Sequence, residues 1–308
     1  MSKVKKIIVF GVLLIVFLIV LSGGKGKPEE TSGKLKVSAS FYPLAFFAEE
    51  IGGDRIDVFT ITPPGTEPHD YEPTARDIAR ITDGKILFLN GNGLEVWRDD
   101  ITKNLSPKDT SLVVVGEKIT LLKEEGKEAE YAKDPHVWLS PVLAKQMIDK
   151  IVLALEQADP KNASYYASNA TSLRSRLDSL NEEFKKGLSN CAKKDFITSH
   201  MAFGSLAREY GLKQMPIAGI SPEEEPSSKD IAILVEFAKK NNVKYIFFES
   251  LVSPKLSEML ANEVGAKTLV LNPLEGLTQK ETIEGKDYFS EMYQNLINLQ
   301  TALECTTN

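Results

Sequence analysis

Short apolar runs alternate with segments of helical period along most of this chain, and that alternation limits its fold more than any other feature. "KVSAS" (36–40), "DVFTITP" (57–63), "KILFLN" (85–90) and "SLVVVG" (111–116) read as strands. Between them, "PLAFFAEEIGG" (43–53) and "TARDIARITDG" (74–84) read as helices that stop at glycine, the second with Thr74 as its N-cap. Strands alternating with helices predict a parallel sheet covered by helices on its faces.

The pattern is interrupted by "LLKEEGKEAEYAKD" (121–134), a charged stretch without apolar period that reads as an exposed loop. Ser140 and Pro141 then open a helix at its N-cap and first position. Residues 161–186 follow as one long helix, with Tyr166, Ala170, Leu173, Leu177, Leu180 and Phe184 forming a single apolar stripe. At 1.5 Å per residue such a helix runs roughly 39 Å, enough to span the height of two lobes.

After Gly187 the alternation resumes. "DFITSH" (195–200), "KYIFFES" (244–250) and "TLVLNP" (268–273) read as strands. "MAFGSLAREYG", "SKDIAILVEFAKKN" and "SPKLSEMLANEVG" read as helices, and Phe289 to Leu303 as a closing helix. The expected architecture is α/β: two lobes, each with a parallel sheet flanked by helices, bridged by one long helix. The expected divisions are 35–160 for the N-terminal lobe, 161–190 for the link and 191–308 for the C-terminal lobe.

Lys3, Lys5 and Lys6 precede an unbroken apolar run from Ile7 to Leu21, and "SGGKGK" follows. A basic start, a short apolar core and a small-residue exit make residues 1–24 a secretory signal segment. The run is shorter than the ~18 residues of a spanning helix, so cleavage is expected over retention as an anchor. Residues 25–34, polar and rich in breakers, read as a tether. Export places the protein in the periplasm or at the cell surface, outside the cytoplasmic membrane. There Cys191 and Cys305 either close a disulfide, as paired cysteines in an oxidising compartment usually do, or remain two unrelated thiols. With 37 basic and 43 acidic residues, a net charge of -6 and no concentrated basic patch, nucleic acid is not an expected partner.

The chain has three histidines, His69, His136 and His200, none paired within one helix. His69 follows the strand at 57–63 and His200 ends the strand at 195–200, so both lie at the carboxyl edge where open α/β sheets gather their ligands. His136 sits in "DPHVWLSP", ahead of a helix, and Glu275 in "NPLEGLT", just past the strand at 268–273. Three imidazoles and one carboxylate are what Zn²⁺ takes in a tetrahedral shell. Glu67, Asp70, Glu72, Asp134 and Glu249 are also available, as ligands or as carboxylates that orient the imidazoles.

"EPHDYEPTARDI", "NGNGLEVW", "DPHVWLSP", "TSHMAFGSLAREYGL" and "LNPLEGLT", in this order, resemble the signatures of the metal-specific solute-binding proteins of ABC transporters. This is the zinc and manganese uptake group that includes ZnuA, AdcA and TroA. The likeness runs from about residue 36 to 305. It implies two α/β lobes bridged by a rigid long helix, with metal between the lobes held by His69, His136 and His200. Where some members use an aspartate, this chain has Asn272, and its "NPLEGLT" form resembles the subgroup that uses the following glutamate, here Glu275. Keeping His200, where a manganese site usually has a carboxylate, implies Zn²⁺ with Mn²⁺ as the alternative. Gly24 stands where many members carry a lipid-bearing cysteine, and residues 121–134 lack the histidines of some zinc members' loops. Cys191 and Cys305 resemble a disulfide pair of part of the family.

The resemblance implies a monomeric binding module that hands Zn²⁺ to an ABC transporter membrane permease, and not an enzyme. The rival from another class is a zinc hydrolase with a His₃ site, an open fourth position for water, and Glu275 or Glu249 as base. A surface adhesin is a third reading that shares all of these features. The sequons at Asn162 and Asn169, both on the long helix, read as chance occurrences.

Overall fold

Four parallel strands form the first sheet: β1 (Leu35–Ala39), β2 (Ile56–Thr60), β3 (Ile86–Leu89) and β4 (Ser111–Val114), in the spatial order β2-β1-β3-β4. The computed structural model describes residues 33–103, 105–106, 108–119 and 134–306. The signal segment, nearly all of the tether and the charged loop up to residue 133 lie outside the described residues. Central β3 is buried along its whole length, whereas β4 at the edge is half exposed. Burial on both faces is why the central strand is a continuous apolar run.

Helices α1 (Tyr42–Gly52), α2 (Ala75–Asp83) and α3 (Arg98–Thr102) connect these strands. Thr74 caps α2 as expected: its side chain accepts from Asp77 N while Asp77 returns the bond to the Thr74 backbone. Then come α4 (Pro141–Ala158), capped by Ser140, and α5 (Ala163–Leu188). α5 starts two residues later than expected, because Pro160–Asn162 form a 3₁₀ turn first. All six residues of its stripe are buried. Its Arg176 pairs with Glu50 on α1 and stacks 4.0 Å over Phe289, so one side chain touches both halves.

The second sheet repeats the first topology with β5 (Asp195–Thr198), β6 (Lys213–Pro216), β7 (Tyr245–Phe248) and β8 (Lys267–Val270), ordered β6-β5-β7-β8. Its helices are α6 (Gly204–Glu209), α7 (Ser228–Lys240), α8 (Lys255–Val264), α9 (Gln279–Ile283) and the closing α10 (Tyr288–Ala302). β6 is absent from the sequence reading. It is a polar edge strand that pairs only with β5 and ends at Pro216, so it shows no apolar run. β5 ends at Thr198, two residues earlier than expected, and His200 lies in the bend beyond it.

One apolar core runs from Val37 and Phe47 through α4 and α5 to Phe196, Met292 and Leu303, and so joins both sheets. A disulfide links Cys191, just past α5, to Cys305, just past α10. Among the described residues no helix is long and apolar enough to cross a membrane.

Candidate metal centre

Each of the four expected site residues is delivered by a turn at a strand end or a helix start, and each turn has its own local cause. His69 follows β2, and its backbone N–H donates to Glu67 Oε1 at 3.1 Å. His136 precedes a 3₁₀ turn, Val137–Leu139, that leads into α4. His200 is pinned by its carbonyl, which accepts from Thr198 Oγ1 at 2.8 Å and from Gln214 Nε2 on β6 at 2.7 Å. Glu275 follows Leu274, which sits at φ 55°, a left-handed backbone that leucine rarely adopts.

The four side chains converge. Their candidate ligand atoms all lie within 4.8 Å of one another, and all four residues are buried. His136 Nε2 is 3.2 Å from His69 Nε2 and 3.3 Å from His200 Nε2. Glu275 Oε1 lies 3.4, 3.1 and 3.3 Å from the Nε2 atoms of His69, His136 and His200. A tetrahedron around Zn²⁺ with bonds of about 2.0–2.1 Å has edges of about 3.3–3.4 Å. Neither carboxylate oxygen of buried Glu275 makes a well-aligned hydrogen bond, and its only polar neighbours at Oε1 are the three imidazoles, so its acceptor capacity is turned to the centre of the cluster. A cation fits this donor set.

The other polar contacts orient the imidazoles. His136 Nδ1 lies 2.9 Å from Asp134 Oδ1, which also accepts the His136 backbone N–H. Asp134 Oδ2 in turn accepts from Ser205 Oγ of α6 at 3.0 Å. His200 Nδ1 is 2.8 Å from both oxygens of Glu249. In the neutral ring a carboxylate on Nδ1 keeps the proton there and leaves the Nε2 lone pair facing the centre. Asp134 and Glu249 thus lie on the outer, Nδ1 side of the imidazoles and not among the four converging donor groups. Asp70 and Glu72 are exposed. Glu67 holds the backbone of His69 rather than its ring.

The "NGNGLEVW" loop supports His136 from behind. Gly91, Asn92 and Gly93 all have positive φ, and glycine supplies two of these turns without strain. Asn90 Nδ2 donates to Pro135 O at 2.9 Å, and Asn92 Nδ2 to Asp134 O at 3.3 Å. Buried Glu95 gathers the loop by accepting from Ser40 Oγ, Asn90 N and Gly91 N. The segments that hold Ser205 and the Asn90–Glu95 loop stand among the quoted motifs, but their roles, and Gln214 altogether, are missing from the sequence reading. Ser205 and Asn90 act on Asp134 and Pro135 far along the chain, and Gln214 on the His200 carbonyl of the neighbouring strand end.

The charges are interdependent. Burial would raise the Glu275 carboxyl, but the three imidazoles, His200 foremost, hold it well below its usual range. Burial would lower His200, yet Glu249 and then Glu275 raise it well above 6.5. His136 is raised too, by Asp134 and Glu275 against burial. Burial, reinforced by Glu275, pushes Glu67 up to about 9.

Known proteins share this fold and these elements. The profile of the family described as zinc-uptake complex component A, periplasmic (ZnuA), matches residues 37–302. The chain is 40% identical over 301 residues to the high-affinity zinc uptake system protein ZnuA of Bacillus subtilis, covering 93% of this chain and 94% of that protein. It is 38% identical over 287 residues to the zinc-binding protein AdcA of Streptococcus pyogenes, covering 87% of this chain but only 56% of AdcA's length. The crystal structure of the Zn(II)-bound ZnuA-like domain of Streptococcus pneumoniae AdcA superposes with a TM-score of 0.77 at 38% identity, covering 88% of this chain and all of that one. By sequence and by fold, the chain belongs to the zinc-uptake complex component A family.

Proposed function

We propose that the protein captures Zn²⁺ outside the cytoplasmic membrane and delivers it to the membrane permease of an ABC importer. His69, His136, His200 and Glu275 are the ligands in this reading. The observation that carries it is the set of four buried donor atoms at the edge lengths of a zinc tetrahedron, with the Glu275 carboxylate facing the three imidazoles. Three neutral imidazoles and one carboxylate leave a net charge of about +1 on the loaded centre, small enough for a buried site. The imidazole-rich set favours Zn²⁺ over the harder Mn²⁺.

The protein acts as a monomeric binding module. Residues 35–160 and 191–308 are its lobes and 161–190 the brace between them. A core continuous through α5 supports small shifts of loops on binding in place of a wide closure. A hydrolase would need an open coordination position and a free base. Here Glu275 closes the shell, and Glu249 is committed to His200.

The test is a titration of the purified chain with Zn²⁺ and Mn²⁺, alongside Glu275→Ala. The expected result is one zinc per chain, preferred to manganese, and weakened by the substitution by at least the about 10–100-fold that loss of an outer hydrogen-bond partner costs a metal site. Preference for Mn²⁺, or an unchanged zinc affinity in the variant, would refute the ligand set.

A further inference from the structure

Glu275 reaches the centre from a turn whose shape depends on a helix away from the metal. Asn295, on α10, is 1% exposed. Its amide takes both backbone groups of Asn272: Oδ1 accepts the Asn272 N–H at 2.8 Å, and Nδ2 donates to Asn272 O at 2.6 Å. The side chain thus does the work of a neighbouring strand just past the end of β8. Held there, Asn272 folds back on its own chain, and its Oδ1 accepts the Leu274 N–H at 2.8 Å. Its Nδ2 reaches Glu291 Oε2 at 3.3 Å. Closing this side-chain turn puts Leu274 at φ 55°. Leu274 then enters the core and the next side chain, Glu275, enters the histidine cluster.

We propose that Asn295 is a positioning residue for the metal centre. Through Asn272 it fixes the left-handed step at Leu274, and with it the place of the Glu275 carboxylate. This rests on the zinc-binding reading above and extends the site to α10. Truncating Asn295 leaves a buried N–H and a buried C=O of Asn272 without their partners, so the turn must move to recover hydrogen bonds. A ligand bond tolerates a displacement of only about 0.2 Å, so the carboxylate is lost while the three imidazoles stay. The same helix supplies a control. Asn298 Nδ2 donates to Val270 O at 2.8 Å, a bond of the same kind made to β8 itself and not to the turn.

The experiment compares wild type, Asn295→Ala, Asn298→Ala, Glu275→Ala and the Asn295→Ala/Glu275→Ala double variant. Zinc affinity is read by competition with a chelating dye, and geometry by the absorption of the Co²⁺-loaded protein. Asn295→Ala is expected to weaken zinc about 10–100-fold and to change the Co²⁺ bands as Glu275→Ala does, because water replaces the carboxylate. Adding Glu275→Ala to it should cost little more, and Asn298→Ala should stay within about twofold of wild type.

Wild-type affinity and Co²⁺ bands in Asn295→Ala, full additivity with Glu275→Ala, or equal losses in Asn298→Ala would each overturn the proposal alone. A wild-type chain that bound no zinc, or a Glu275→Ala variant that matched it, would overturn the ligand reading and this inference with it. Should Asn295→Ala not fold, Asn272→Ala and Asn272→Ser decide. Serine keeps an acceptor for the Leu274 N–H and should retain about tenfold more affinity than alanine. Equal losses in those two overturn the proposal.

Discussion

Trp138 Nε1 donates to the carbonyl oxygen of Pro273 at 2.8 Å, and this bond joins the segment that carries His136 to the turn that carries Glu275. The Trp138 carbonyl accepts from Tyr288 Oη of α10 at 2.6 Å, and its ring packs edge-on to Phe41 at 4.6 Å. Two candidate ligands 139 positions apart in the chain therefore have their spacing set before any ion arrives. Such preorganisation lowers the ordering cost of binding.

Trp138→Phe keeps an aromatic ring against Phe41 but leaves the buried Pro273 carbonyl without its donor. The metal-free protein should lose about 1–3 kcal/mol of stability, measured by denaturant unfolding. Zinc affinity should fall with it, since the His136 and Glu275 segments are released from each other. An unchanged midpoint would mean that the bond adds nothing to the fold.

The sequence made some of this legible and hid the rest for physical reasons. The stripe from Tyr166 to Phe184 announces α5, because a long helix repeats its signal over many turns. His69, His200 and Glu275 stand out because strand ends are where α/β sheets place their ligands. The four-residue β6 is invisible, since Lys213 and Gln214 occupy an edge that need not be apolar. Asn295 looks like any polar position on an amphipathic helix. Its importance lies in a backbone 23 residues away, and Trp138 meets Pro273 across 135. No local pattern encodes contacts of that range.

Glu249 offers both oxygens to His200 Nδ1 at 2.8 Å, which makes it the residue that aims this imidazole. Glu249→Gln keeps the shape and removes the charge. Zinc affinity should drop about 10–100-fold. Burial already lowers His200, and Glu249 is the first of the groups that raise it, so the NMR titration of this imidazole should move to lower pH. A variant that kept both the affinity and the titration point would show that Glu249 only fills space.

The Cys191–Cys305 disulfide closes a segment of 114 residues that contains the whole second sheet. On chain-entropy grounds a loop of that length stabilises the fold by about 4–5 kcal/mol. The double substitution to serine should lower the unfolding midpoint accordingly, as should a reductant acting on wild type. Zinc affinity at temperatures below the transition should stay nearly unchanged, since neither cysteine belongs to a turn that carries one of the four candidate ligands. Loss of zinc binding without loss of stability would contradict this division of labour.

The last prediction concerns pH. In the metal-free protein, burial opposes the charge on His200 and His136, but Glu249, Asp134 and Glu275 hold both above 6.5. Groups raised on folding contribute stability that is complete below their unfolded value and is lost as pH rises through the folded one. Glu275 is depressed below 4.5, so its contribution is complete above that value and is lost as pH falls through its folded one. The cluster therefore stabilises the metal-free chain most between about pH 4.5 and 6.5 and progressively less above. Zinc reverses the trend, because it binds only imidazoles that have shed the proton on Nε2. The rise in melting temperature on adding zinc should grow as pH increases from about 5.5 to 8.5. Calorimetry in buffers of different ionisation enthalpy should show about one proton or more released per zinc near pH 7. A zinc-induced rise independent of pH, with no proton released, would mean that the ion does not displace protons from these imidazoles.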